Sequence, residues 1–177
     1  EMHCLLALTS SFHELGAPLD VRNSRFFACI ELRHSNLILI GSARTNTMVN
    51  SLQGDEPFVI TDECIVNSRP LEGEEATYRG HRFQEGKLER LVEYAIITRR
   101  HGLVGSSVIT MVSANHGRAI EGAGQYLSRE DKLRELLGKM NVQEAPAHFQ
   151  ALLRVDMIDF DEEVVNVEYV THRVVQV

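Results

Sequence analysis

The sequence predicts a three-layer α/β domain with a mainly parallel sheet, finished by a long C-terminal antiparallel β-hairpin. Two apolar runs, Leu37–Ile40 and residues 108–112, each lead into a short polar turn and then a helix-like segment. Continuous apolar runs bounded by turn residues are typical of strands buried in a parallel sheet. Residues 149–171 differ, because apolar and mostly polar residues alternate there. Such alternation is typical of antiparallel strands with one face in water.

Length and composition predict a single domain over residues 1–177. The chain has 177 residues, of which 44% are hydrophobic and 24% are charged, and these values are ordinary for a domain with its own core. The sequence starts at Glu1 and becomes apolar almost at once. We therefore expect a fragment of a longer protein that lacks its N-terminal module.

Charge, hydropathy and cysteine usage argue against several classes of partner. The net charge of −7, from 18 basic and 25 acidic residues, is unfavourable for direct binding to nucleic acid. No apolar run approaches the ~20 residues that are needed to cross a bilayer, so we expect no membrane contact. The three cysteines are far apart and show neither zinc spacing nor a disulfide framework, which predicts a cytoplasmic protein.

The first part of the chain predicts a βαβ unit. Apolar residues 4–8 predict the first strand, and the polar segment 9–23 is long enough for a functional loop. Asn23 or Ser24 is a suitable cap for the helix that follows, and residues 36–41 predict the next strand. A strand, a helix and a strand in this order give parallel, right-handed pairing by strong preference.

The rest of the chain predicts short elements and two further helices, each from its apolar spacing and its capping residues. In chain order we expect a helix from Thr45 or Asn46 to Gly54, a strand at 58–61, a small β segment at 76–79, strands at 92–99 and 107–112, a helix after Gly117, and a helix capped by Ser128. Strands 92–99 and 107–112 are either hairpin partners or successive strands of the sheet. The C-terminal hairpin either joins the main sheet or projects towards a partner.

The turn after the first apolar run carries residue types that suit an anionic ligand. A glycine at a strand end lets the chain turn tightly and lets a ligand approach the backbone. An arginine binds phosphate or carboxylate, and hydroxyl and amide side chains add donors. Loops at the carboxyl edge of α/β sheets often bind ligands. We therefore expect ligand contacts from Gly41, Ser42, Arg44, Thr45 and Asn46.

The turn after the second apolar run has similar residue types, namely polar side chains, a glycine and an arginine. Its residues are Asn115, His116, Gly117 and Arg118. Histidine side chains have an unperturbed pKa near neutrality, so His116 is of a type that suits proton transfer. Arg118 lies in the first turn of the predicted helix, where a cation is unfavourable unless an anion faces it. The turn is therefore a second candidate contact for an anionic ligand.

A third candidate group follows the predicted first strand and should open onto the same edge of the sheet. Ser10 and Ser11 offer hydroxyl groups to a phosphate. Glu14 is a candidate nucleophile or base, which would act together with His116.

No motif implies a metal or a cofactor. The eight histidines show no HxxxH or HExxH spacing, and the chain has neither a GxGxxG pattern nor a Walker loop. We expect neither a metal nor a cofactor.

Residues 36–46, in which the strand ends in Leu39-Ile40-Gly41-Ser42, and residues 115–127 together resemble a group of bacterial and archaeal Rossmann-like domains of unknown function. The layout is similar, more distantly, to nucleotide-sensing effector-associated domains and to nucleoside deoxyribosyltransferase-like and Toll-receptor-like folds. The resemblance implies a Rossmann-like sensor domain. The enzymes among these folds use a glutamate or an aspartate in a comparable pocket, and Glu14 and Asp20 are the candidates here.

These observations predict a ligand-sensing or regulatory domain that binds a nucleotide-like or other anionic small molecule at the carboxyl edge of the strands. We expect it to form a homodimer. Two alternatives remain open. The first is a nucleoside or dinucleotide hydrolase or glycosyl-transfer enzyme that uses Glu14 and His116. The second is a protein-interaction or dimerisation scaffold that pairs through its C-terminal hairpin.

Overall fold

The structure is a computed structural model, and it describes residues 1–24, 34–102, 104–158 and 163–175. Within these residues lie four helices: α1 (Met2–Glu14), α2 (Thr47–Leu52), α3 (Gly117–Leu127) and α4 (Glu130–Lys139). The strands are β1 (Leu37–Ile40), β2 (Phe58–Ile60), β3 (Ile65–Asn67), β4 (Thr77–Tyr78), β5 (His81–Glu85), β6 (Leu88–His101), β7 (Val108–Ala114), β8 (Phe149–Ile158) and β9 (Glu163–Val174).

The main sheet is mixed and mostly antiparallel. Its strand order is β1-β7-β6-β8-β9, and β5 pairs with the first half of β6. Among the described strands, β1 and β7 form the one parallel pair, while every other pair is antiparallel. The expected Rossmann-like, mainly parallel sheet is therefore wrong.

The apolar segment 4–8, which was expected to be the first strand, explains most of this difference. Residues 4–8 belong to helix α1, and the two buried residues of that helix are Cys4 and Leu8. A spacing of four residues is the period of a helix face, whereas a strand buries alternate residues. With no strand there, the predicted βαβ unit loses its first member. The helix that was expected after Ser24 falls mostly on residues 25–33, outside the described residues.

The long antiparallel centre of the sheet is built from the β6–β7, β6–β8 and β8–β9 pairs. β6 and β7 pair across a tight turn, in which Gly102 N donates to Ser107 O at 2.7 Å and Gly105 has a φ of 65°. β8 and β9 pair antiparallel, as the alternation predicted, and of the two alternatives left open the hairpin joins the main sheet. The register of β9 shifts opposite Leu152/Leu153 and opposite Asp156/Met157, which marks two irregularities of the β-bulge kind.

Both faces of the main sheet are covered. On one face, α1 and α3 bury Cys4, Ile120 and Ala123 against strand residues such as Ala95 and Leu153. On the other face lie α2 and a small antiparallel sheet in the order β2-β3-β4. No helix in the described ranges is both long enough and apolar enough to cross a membrane.

Two predicted helix starts have different outcomes. Asn46 caps α2, since its Oδ1 accepts a hydrogen bond from Met48 N at 3.1 Å, and this prediction is confirmed. The predicted cap at Ser128 is wrong. Ser128 is the C-cap of α3 and its hydroxyl donates to Gln125 O, while α4 begins at Glu130 with Arg129 as its N-cap.

Gln150 joins the small sheet to the main one. Its side-chain oxygen accepts from Phe58 N at 2.7 Å, and its nitrogen donates to Phe58 O at 2.9 Å and to Thr98 Oγ1 at 3.1 Å. The amide of β8 thus satisfies both backbone groups of the first residue of β2, as a neighbouring strand would.

Candidate functional site

The parallel β1–β7 pair brings both polar turns to one edge of the sheet. Ile40 lies beside Val112 in the register, and Gly41 N donates to Val112 O at 3.1 Å. Because the two strands run in the same direction, the turns that follow them emerge side by side. Their helices then separate, since α2 packs on one face of the sheet and α3 on the other.

The N-terminus of α1 contacts both turns. Thr45 Oγ1 donates to Glu1 Oε1 at 2.7 Å. On the other side, Glu121 of α3 accepts from Arg118 Nη1 at 2.7 Å and lies 3.0 Å from His3 Nδ1. The sequence analysis missed Glu1, His3 and Glu121 because it treated the start of the chain as a strand with no helix face.

The structure does not bring Ser10, Ser11 and Glu14 to this edge. They lie in the second half of α1, where the Ser11 hydroxyl donates to Ser128 O at 3.2 Å, beyond the far end of α3. α3 has 11 residues, which correspond to about 16 Å of helix rise. Glu14 and His116 therefore lie towards opposite ends of α3, too far apart to share a proton.

The first turn satisfies most of its own backbone donors. Ser42 N donates to Thr45 Oγ1 at 3.0 Å, and Thr45 N and Asn46 N both donate to Ser42 O. Arg44 N donates to the Ser42 hydroxyl at 3.2 Å. Gly41 has a φ of 131°, and a Cβ there would lie 2.8 Å from Thr45 Oγ1, so the turn requires glycine. An anion at this turn would therefore rely on side chains more than on a backbone nest.

Arg44 is the side chain of this turn that is available to a ligand. It is exposed, and its guanidinium makes no hydrogen bond or ion pair with another described residue. Asn115 and Gly117 of the second turn are exposed as well.

His116 is the N-cap of α3. Its Nδ1 accepts a hydrogen bond from Arg118 N at 3.3 Å, which leaves the proton of the neutral ring on Nε2. Burial raises the pKa of the nearby Glu93 carboxyl on β6, and His116 and His81 would lower it in part when their rings are protonated. Glu93 is a further residue that the sequence analysis missed at this edge, since nothing in a strand pattern marks a half-buried acid.

Arg118 already has an anionic partner in Glu121. Burial raises the pKa of Glu121, but hydrogen bonds from Arg118 and His3 outweigh burial and hold that pKa below its usual value. The pair explains how α3 tolerates a cation in its first turn.

A cleft of about 830 Å³ lies between α1, residues 18–24 and β1. Four consecutive residues of β1 line it, and successive side chains of a strand point to opposite faces. The cleft therefore runs along the outer edge of the sheet. Leu5, Leu8, Leu19, Leu37, Leu39 and Met48 give it apolar walls, and Glu1, Asp20, Arg22, Asn36, Thr45 and Asn46 are among its polar residues.

The residues that the structure describes contain no group of three or more His, Cys, Asp or Glu side chains placed to hold a metal ion. The chain matches no family model, no curated protein and no solved structure. The resemblance to Rossmann-like sensor domains stays a prediction, and function rests on the geometry of this edge.

Proposed function

We propose that this domain binds a small molecule in the cleft between α1 and β1 and serves as a ligand-sensing or regulatory module. The observation that carries the proposal is the cleft itself, with its volume of about 830 Å³, apolar walls and polar residues at Thr45 and Asn46. Clefts of roughly 300–1,000 Å³ with mostly apolar walls and a few polar groups are typical of small-molecule sites.

The ligand class that fits is a nucleotide-like or other anionic small molecule. A flat apolar body would lie along β1 between Leu5 and Leu39, which line the cleft. Its anionic group would lie at the Gly41–Asn46 turn, where the exposed Arg44 offers a guanidinium. Arg22, which lines the same cleft and pairs with Asp20, adds a second guanidinium.

We favour sensing over turnover on Glu14 and His116, because those two side chains lie towards opposite ends of α3. The module would pass its signal to an attached domain or across a homodimer. A reducing cytoplasm suits it, since Cys4 and Cys64 are buried free thiols.

A second candidate function is catalysis by Glu93 and His116. The observation that favours it is the register of the sheet: Ala95 pairs with Ala114, so Glu93 and His116, each two residues from that pair, lie at the same edge. Burial raises the pKa of the Glu93 carboxyl there. Loss of nucleotide turnover in Glu93→Gln, with binding retained, would support this enzyme. A complete absence of turnover across nucleosides and dinucleotides would exclude it.

The binding proposal is tested on the 177-residue chain by native mass spectrometry and by a thermal-shift screen of nucleotides, cyclic oligonucleotides and dinucleotides. A bound compound should raise the melting temperature. Arg44→Ala should weaken binding of that compound at least about tenfold, because a charge-assisted hydrogen bond is worth about 1.5–3 kcal/mol. Leu5→Trp, which fills the cleft, should abolish binding.

Arg134→Ala is the matched control, since it removes an exposed arginine on α4 whose one ion-pair partner among the described residues is nearby Glu130. Its affinity should equal that of the wild type. A blank across the whole panel, or wild-type affinity in both Arg44→Ala and Leu5→Trp, would reject the cleft as the site.

A further inference from the structure

We propose that α1 is a detachable lid. The whole helix separates from α3 and from the Gly41–Asn46 turn while both sheets stay folded, and this separation opens the cleft. The role of this lid rests on the proposed function. The detachment is a property of the fold and can be measured without a ligand.

The sheets are complete without α1. Each of the described strands finds its hydrogen-bonded neighbours among other strands. Among the described residues, the backbone hydrogen bonds of segment 1–17 that lie outside regular elements all end within that same segment. Removing α1 therefore breaks no rung of either sheet.

The docking of α1 is shallow. Of its 13 residues, Cys4 and Leu8 are buried, whereas Met2 and Leu6 are 66% and 58% exposed. The closest approach is at Cys4, where a Cβ added to Gly124 would lie 2.5 Å from the sulfur. Elements with few buried apolar contacts lie at the low end of local stability and are the first to open.

Side-chain hydrogen bonds hold α1 at its two ends. Glu1 accepts from Thr45, and His3 contacts Glu121, at the edge where the two turns emerge. Ser11 donates to Ser128 O near the other end of α3. The His3 side chain is 59% exposed, so water competes for its contact with Glu121. These contacts fix the position of the docked helix but leave it free to separate.

The lid is also a wall of the cleft. Glu1, Met2, Leu5 and Leu8 line it from the side of α1, opposite β1. A molecule in the cleft would touch α1 in the docked state and lose those contacts when the helix leaves. Binding would therefore favour the closed lid, and any segment attached to α1 would report occupancy.

Cys4 provides an internal probe of the lid. The Cys4 thiol is fully buried, and burial raises its pKa to about 12. This thiol is therefore unreactive while α1 is docked. We would substitute Cys29→Ser and Cys64→Ser and follow labelling of Cys4 by a disulfide reagent at increasing urea. Global unfolding of the same variant is followed by circular dichroism.

If α1 is a detachable lid, the equilibrium constant for exposing Cys4 should be at least about tenfold larger than that for global unfolding. This opening constant should also depend much more weakly on urea. The weak dependence follows because one helix exposes far less surface than the whole domain. Labelling with the same urea dependence and the same opening constant as global unfolding would overturn the proposal.

Ile60→Val provides a matched control on the far side of the main sheet, since Ile60 is buried in the small sheet away from α1. It should make global unfolding roughly two- to tenfold more frequent and leave Cys4 labelling unchanged. If Ile60→Val raised the frequency of Cys4 labelling as much as that of global unfolding, the lid proposal would be overturned. No ligand enters these measurements, so a failed lid leaves cleft binding standing, and a blank ligand screen leaves the labelling result standing.

Discussion

The carboxylate of Glu74 ties the loop after β3 to the last strand of the main sheet. It accepts hydrogen bonds from Arg173 and Thr171 of β9 and from Asn67, and both Glu74 and Arg173 are nearly buried. The hydrogen bond from Arg173 is the largest of the causes that lower the pKa of Glu74 to about 2, against the opposing effect of burial. The pair joins residues 99 positions apart in the chain.

Glu74→Gln should destabilise the protein at pH 7 by about 2–4 kcal/mol, because it leaves the Arg173 guanidinium nearly buried without its anion. The folded pKa lies below the reference value of 4.5. The stabilisation is therefore fully present above that value and is lost as pH falls from about 4.5 towards 2. Urea unfolding at pH 7 and pH 3 measures both effects.

Glu63→Gln is the control for this prediction. Glu63 pairs with Arg79 on the surface, and both side chains are well exposed. Its loss should change stability by less than about 0.5 kcal/mol. A Glu74→Gln protein that keeps the wild-type pH dependence between pH 5 and pH 3 would show that this carboxylate does not carry the acid sensitivity.

Helix α3 packs on two neighbours through glycines. Gly122 faces the sheet, where an added Cβ would lie 2.8 Å from a methyl group of Val155. Gly124 faces α1, where an added Cβ would lie 2.8 Å from the backbone of Cys4. Glycine costs a helix roughly 0.5–1 kcal/mol relative to alanine, so here close packing outweighs intrinsic propensity.

Gly124→Ala should lower the free energy of unfolding by at least about 2 kcal/mol, because the methyl group forces α1 away from α3. Gly138→Ala on α4 is the matched control. Nothing lies within 4 Å of its Cβ position, so it should stabilise by about 0.5–1 kcal/mol. Chemical unfolding of both variants gives the comparison, and a stable Gly124→Ala protein would contradict the close approach.

The elements that were predicted correctly have strong local signals. Asn46 as a cap, the two apolar runs and the alternation of β8 all show in a few consecutive residues. Helix α1 was mistaken for a strand because Cys4, Leu5 and Leu8 satisfy a short apolar run as well as a helix face. An apolar run of five residues does not distinguish a strand from a helix, whereas buried positions four residues apart indicate a helix.

At the scale of the whole molecule, the direction in which neighbouring strands run could not be predicted from the sequence. A βαβ unit and a hairpin carry similar apolar strands, and the choice depends on contacts between distant segments such as β6 with β8. The turns Gly41–Asn46 and Asn115–Arg118 were expected at one edge of the sheet, and they emerge there side by side. Glu93 and Glu121 were not anticipated, because their surroundings come from tertiary packing.

Gln150 makes the two sheets one cooperative unit, because it is buried and satisfies both backbone groups of Phe58. Gln150→Met should lower the free energy of unfolding by about 2–4 kcal/mol, since it leaves a buried N–H and C=O without partners. Gln125→Met on the exposed side of α3 should cost less than about 0.5 kcal/mol. Urea denaturation compares the two, and equal midpoints would show that Phe58 finds other partners.

The two register shifts in β9 bear on how this protein avoids aggregation by strand pairing with other chains. β9 is an end strand of the main sheet, and its 12 residues would present a long template for another chain. Bulges opposite Leu152/Leu153 and Asp156/Met157 interrupt the even spacing of donors and acceptors that an incoming strand would need. The edge can therefore stand open to solvent without seeding aggregation, which also weakens the case for that hairpin as a pairing surface.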